Sequence, residues 1–344
     1  MHASKLSVYQ IYFAPEQLAG IDSRFIPYDN SASPRPDEHE FYVFQKEYHS
    51  GRTQDGFHGY LSWKFREKTG IGGAEFLDFC MMNPGYDVYF INPFPIEICF
   101  GNIWEQGEMW LPGMSRLAQE LFDHCGYTIN LSQMPRRLST TAFCNFWVGS
   151  PKFWDQYMDF CLPLYNFLLT NPQHSLAKAV LDPADPGRKA SYFAFIFERL
   201  FTTLLNFTSG ISYAAYTFSR RELARRYPDC YANFLTELQQ YETRHPNDPQ
   251  PLLSQPKFVQ FLNRQQRAIQ IANKPKWRRT FNKGWNGWTQ SNLRRKMLER
   301  PAWKYLDGKL FYLLNPGYVH WRRDLPKQED SPPIDSNPAA PMDR

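Results

Sequence analysis

No stretch of this 344-residue chain approaches the roughly 18 consecutive apolar residues that a membrane-spanning helix needs. The start, Met1-His-Ala-Ser-Lys-Leu, lacks the apolar centre of a secretory signal. The six cysteines (80, 99, 125, 144, 161 and 230) form no Cys-x-x-Cys pair and no Cys/His set with zinc spacing. The eight histidines contain no His-Glu-x-x-His. These absences speak against a structural metal and fit reduced, buried thiols in a cytoplasmic protein. An exchangeable ion arriving with a phosphate ligand stays open. Walker and Rossmann glycine loops are missing, and Gly70-Ile-Gly-Gly73 is too short to stand in for either. Ser62 and Ser150 lack the Gly-x-Ser-x-Gly setting of a hydrolase nucleophile. There is no internal repeat.

What the chain has in quantity is aromatic side chains, at 17%, which bring large buried areas and flat stacking faces. Short β-type runs over 7–13, 25–29 and 59–65 alternate with helical patterns over 38–48 and 72–82. A further strand over 87–91 follows. Helices are expected over 114–124, where Gly126 is placed to cap, and over 152–170 and 191–205, with strand-like sequence over 140–149. Strand, helix, strand at this spacing predicts an α/β fold. From 256 to 300 the character changes: twelve basic residues face the single acid Glu299, and Trp277, Trp285, Trp288, Trp303 and Trp321 lie in or beside the block. Residues 328–344 read as a disordered tail. The expected domains are 1–230, a nucleotide-binding catalytic unit; 231–327, a basic, Trp-rich helical extension; and the tail.

The stretch Tyr86-Asp-Val-Tyr-Phe-Ile-Asn-Pro-Phe-Pro95 places Asp87, Tyr89 and Ile91 on one face of a strand, which two prolines then force out of the sheet. It resembles the strand and exit of nucleotide-sugar-dependent glycosyltransferases of the GT-A type. Phe143-Cys-Asn-Phe-Trp-Val-Gly-Ser-Pro-Lys-Phe-Trp154 is similar to the acceptor-side segment of glycogenin-like members. Asp55-Gly-Phe-His-Gly-Tyr-Leu-Ser-Trp-Lys-Phe65 resembles a segment of bacterial capsule and O-antigen transferases. The likeness covers about residues 7–220. It implies a GT-A-like, Rossmann-type mixed sheet with flanking helices. One departure stands out: Gly85-Tyr86-Asp87 carries one carboxylate where the family shows an Asp-x-Asp pair that holds Mg2+ or Mn2+.

Under that resemblance Asp87 organises the diphosphate, directly or through Mn2+ or Mg2+. Tyr9 and Gln10 lie near the base, and His58, Lys64, Tyr89 and Asn92 belong to the donor side. Glu105 or Glu108 is the base, and Trp104, Asn145 and Trp147 contact sugar. Plain structural readings compete: Asp87 as the cap of the Pro84-Gly85 turn, Glu105 and Glu108 as solvated acids at a helix start, His58 as a loop residue, Asn145 as a structural hydrogen bonder. The expected function is transfer of a sugar from a nucleotide diphosphate to a surface polysaccharide or lipid-linked acceptor. The alternative is a non-catalytic glycan- or partner-binding protein on a degenerate form of the fold. The basic block is read as contact with an anionic membrane at its cytoplasmic face, as a solvated helical surface, or, least favoured, as a nucleic-acid site.

Overall fold

The computed structural model describes residues 5–185, 188–227 and 229–245. The basic block and the tail lie outside the described residues. At the centre is a six-stranded mixed sheet of order β2-β1-β3-β5-β4-β8. Its strands are β1 (Leu6–Tyr12), β2 (Ile26–Asp29), β3 (Phe57–Ser62), β4 (Val88–Phe90), β5 (Trp147–Gly149) and β8 (Tyr213–Ala215). β1 pairs in parallel with β2 on one side and β3 on the other, β4 pairs in parallel with β8, and β5 runs antiparallel between β3 and β4. A separate hairpin joins β6 (Pro183–Asp185) to β7 (Arg188–Ser191). The close pass of β3 over β5 depends on Gly59, where an added Cβ would sit 2.7 Å from the Trp147 carbonyl oxygen.

Helices cover both faces. Strand alternation sends Ile11, Tyr60, Val88 and Phe90 into one apolar layer and Val8, Leu61, Tyr89 and Ile91 into the other. The first layer is closed by α1 (His39–His49), α5 (Met114–His124), α6 (Pro151–Thr170) and α8 (Tyr192–Phe207). The second is closed by α2 (Phe65–Thr69), α3 (Gly73–Met82), α9 (Arg220–Arg226) and α10 (Asp229–Arg244). α6 begins where Ser150 Oγ accepts the Phe153 N–H at 3.2 Å and Pro151 takes the first helical position. Ala232, Phe234, Leu235 and Leu238 of α10 are buried in the same layer as Val8 and Leu61, so the packed unit reaches past the boundary expected at 230. Among the described residues no helix is long and apolar enough to cross a membrane.

Two expected strands differ. The 59–65 run leaves the sheet at Ser62 and turns into α2, with Gly70 in the left-handed conformation at its end. Of the 140–149 run only Trp147–Gly149 pairs, because Cys144 takes φ 71° and breaks the extended path before it.

Candidate functional site

In open α/β sheets ligands collect beyond the carboxyl ends of the strands, where connections leave to opposite sides. Here β1 has β2 on one flank and β3 on the other, so the chain crosses over between β2 and β3. Directly beyond the carboxyl ends of β1, β2 and β3 lies a cavity of about 550 Å3. Phe13 follows β1, Asn30 and Ser31 follow β2, and Ser62, Trp63 and Lys64 end and follow β3; all six line it.

The opposite wall is built by helices. Glu38, His39 and Glu40 enter from the start of α1, and Glu198 from the middle of α8; Lys68 of α2 and Asn145 also line it. Glu38 accepts the Tyr165 hydroxyl at 2.6 Å and pairs with Arg35 at 3.4 Å. Burial pushes its carboxyl above the usual range, and Tyr165 and Arg35 only partly offset this. Lys68 donates to Cys144 Sγ at 3.0 Å and lies 5.8 Å from the centre of the Phe146 ring. Burial works against its ammonium, but Cys144 and Glu198 outweigh that and hold its pKa above the ordinary lysine value. Lys64 Nζ stands 5.0 Å from the Trp63 ring centre. Of the two non-glycine residues with positive φ among the described residues, His39 at 50° lines this wall, and Cys144 at 71° stands behind it, bonded to the lining Lys68. Strained backbone of this kind gathers at functional sites, where the surroundings over-determine it.

Of the residues expected from sequence, the cavity collects Lys64 and Asn145. Asp87 sits at the other end of the sheet: it precedes β4, on the amino-terminal edge of the parallel strands. Its Oδ2 accepts from Ser212 N at 2.8 Å, Ser212 Oγ at 2.8 Å and Lys152 Nζ at 3.0 Å. It is a clasp between strand starts. Among the described residues no three of His, Cys, Asp and Glu converge as a metal-holding group.

The expected bases are also structural. Glu105 closes a capping box on α4 (Ile103–Trp110), accepting the Asn102 N–H at 2.9 Å, and pairs with Arg136 at 2.8 Å. Glu108 accepts the backbone N–H of Gly113 at 2.6 Å and of Ser115 at 2.9 Å, pinning the start of α5. Gly107 serves helix packing, since an added Cβ would lie 2.8 Å from Arg199 Nε. Trp104 and Trp147 are core side chains, each 1% exposed, and offer no face to a sugar.

On the donor side, Tyr9 stacks on Tyr60 with ring centres 4.9 Å apart. His58 is buried in β3, with Nε2 3.0 Å from the Asp55 carbonyl oxygen. Tyr89 donates to the Asn83 carbonyl at 2.7 Å, and Asn92 Oδ1 accepts the Phe94 N–H at 2.9 Å to shape the proline exit. Gln10 supports the cavity from below without lining it: its Nε2 donates to the Trp63 carbonyl at 2.9 Å.

Phe13, Asn30 and Ser31 were readable as the residues that follow strands. Lys68 and Glu40 look like ordinary solvated helix charges in sequence. Glu198 carried a signal, as an acid inside the otherwise apolar Tyr192-Phe-Ala-Phe-Ile-Phe-Glu-Arg-Leu-Phe201. Compared with known proteins, the chain matches no family model, no curated protein and no solved structure.

Proposed function

We propose that this chain is a glycosyltransferase of GT-A type that takes its sugar from a nucleotide diphosphate bound in the cavity beyond β1, β2 and β3. One observation carries the reading: the crevice at the crossover point of the sheet is lined by two lysines, aromatic rings and the carboxylates of Glu38, Glu40 and Glu198 within about 550 Å3, room for a nucleotide sugar. The mixed sheet with helices on both faces supports the same assignment.

In this reading the diphosphate lies against Lys64 and Lys68. Fixed ammonium groups there stabilise the charge that develops on the leaving phosphate, and a water-poor wall strengthens the effect. Phe13 and Trp63 offer flat faces to rings of the donor. Glu40 and Glu198 are the carboxylates placed to take a proton from the acceptor hydroxyl, while Glu38 is tied to Tyr165 and shapes the wall. The acceptor is a glycan or lipid-linked saccharide, brought in by the open side of the crevice.

The test is incubation of the full chain with a panel of nucleotide sugars, with and without Mg2+ or Mn2+, reading release of nucleoside diphosphate. Slow donor hydrolysis, lost in Lys64→Ala and Lys68→Ala, is the expected result. No release and no thermal stabilisation by any nucleoside diphosphate would reject the enzyme and favour a non-catalytic binding protein.

A further inference from the structure

Cys144 presents an unusual combination. It is 6% exposed, yet its backbone holds φ 71°, a left-handed conformation that a non-glycine residue adopts only at a cost. A cysteine present only to fill space would gain nothing from that position. Two consequences of the turn are visible. The next residue, Asn145, comes round to line the cavity. The thiol meets a charged side chain from an element far away in the chain: Lys68 of α2, whose Nζ lies 3.0 Å from Sγ.

The proton count works for such a contact. Burial pushes the Cys144 thiol far up, so it keeps its hydrogen. A protonated sulfur can still accept from the ammonium through a lone pair. Lys68 is otherwise fixed through its main chain, where its carbonyl accepts from Arg226 Nη2 at 2.8 Å. That contact anchors the start of the side chain and leaves the ammonium to Cys144.

We propose that Cys144 is a positioning residue of the cavity, its thiol holding the Lys68 ammonium at a fixed place facing the ligand. The inference rests on the nucleotide-sugar reading only for the identity of the anion that Lys68 meets.

The test uses the full chain as Cys144→Ala, Cys144→Gly and Cys144→Ser. Glycine suits the left-handed backbone and supplies a folded variant if alanine does not fold. The first readout needs no ligand: the rate at which acetic anhydride acylates Lys68, followed by peptide mass spectrometry. A loosened ammonium is expected to react at least about threefold faster in the alanine and glycine variants, with serine returning toward the wild-type rate, because a charge-assisted contact has been removed and then partly restored. The second readout is UDP affinity, expected to fall about tenfold in the alanine and glycine variants. Wild-type acylation rates at Lys68 in both alanine and glycine would overturn the proposal. If UDP fails to bind the wild-type chain, the nucleotide reading falls, and the acylation result still decides the role of Cys144.

Discussion

Gln10, fully buried in β1, holds the exit of β3: its Nε2 donates to the carbonyls of Trp63 at 2.9 Å and Ser62 at 3.3 Å, and its Oε1 accepts the Asp22 N–H at 2.8 Å. The backbone that carries Lys64 into the cavity is therefore fixed from the strand beside it. Gln10→Ala leaves buried carbonyls and an N–H unpaired and is expected to cost about 2–3 kcal/mol in urea unfolding. It should also weaken nucleotide affinity through the displaced Ser62–Lys64 turn, although Gln10 does not line the cavity. Unchanged affinity in a destabilised Gln10→Ala protein would separate the bracket from the site.

Asp87 should behave as a structural clasp. Burial alone would raise its pKa, but hydrogen bonds from Ser212 and the Lys152 ammonium outweigh it and bring it below the ordinary value of 3.8. A depressed carboxylate contributes stability that is present above the unfolded value and lost as pH falls through the folded one. Asp87→Ala is expected to cost about 1–2 kcal/mol at pH 7 and less below pH 4, with nucleotide affinity unchanged. Denaturant midpoints across pH 2–7 read the first part, and a titration reads the second.

His58 predicts a different pH window. Burial brings its imidazole below the ordinary value of 6.5, so the folded chain prefers it neutral. Its share of stability is complete above 6.5 and declines as pH falls from there through the folded value, at no more than about 1.4 kcal/mol per pH unit. Replacing it with Phe, which keeps a ring stacked on Tyr9 and Tyr60, should flatten the stability curve between pH 7 and 5. An unaltered slope in His58→Phe would assign the acid sensitivity elsewhere.

Glu108→Gln tests the difference between a catalytic base and a helix anchor. Its carboxylate accepts two backbone N–H groups at the start of α5. An amide keeps one acceptor oxygen, so about 1 kcal/mol of stability is expected to go, with donor turnover intact. Loss of turnover at wild-type stability would return Glu108 to the chemistry.

Much of the fold was legible because its signals are local. The α5 range of 114–124 follows from apolar spacing and Gly126, whose φ is 82°. The alternation around Val88 and Phe90 correctly separates the two faces of the sheet. Propensity overextended the 140–149 strand because nothing in Phe143-Cys-Asn-Phe146 announces a left-handed cysteine, whose thiol accepts from Lys68 of a helix distant in sequence. The site was half legible for a related reason. Asp87 drew attention as a lone acid in an apolar strand, yet it begins that strand, and a ligand site belongs at the other end. Lys64 and Asn145 stand beside strand or loop breaks and line the cavity. Lys68, Glu40 and Glu198 come together only through helix packing, which no window of sequence reports.

The most direct test of the central claim is a calorimetric titration of the nucleoside diphosphate that stabilises the chain best, on wild type, Lys64→Ala, Lys68→Ala and Asp87→Ala under one set of salt conditions. The account predicts affinity lost at least tenfold in each lysine variant and unchanged in Asp87→Ala, since it puts the anion in the cavity beyond the carboxyl ends of β1 and β3. Wild-type affinity in both lysine variants with binding abolished in Asp87→Ala would contradict it and move the ligand to the opposite edge of the sheet.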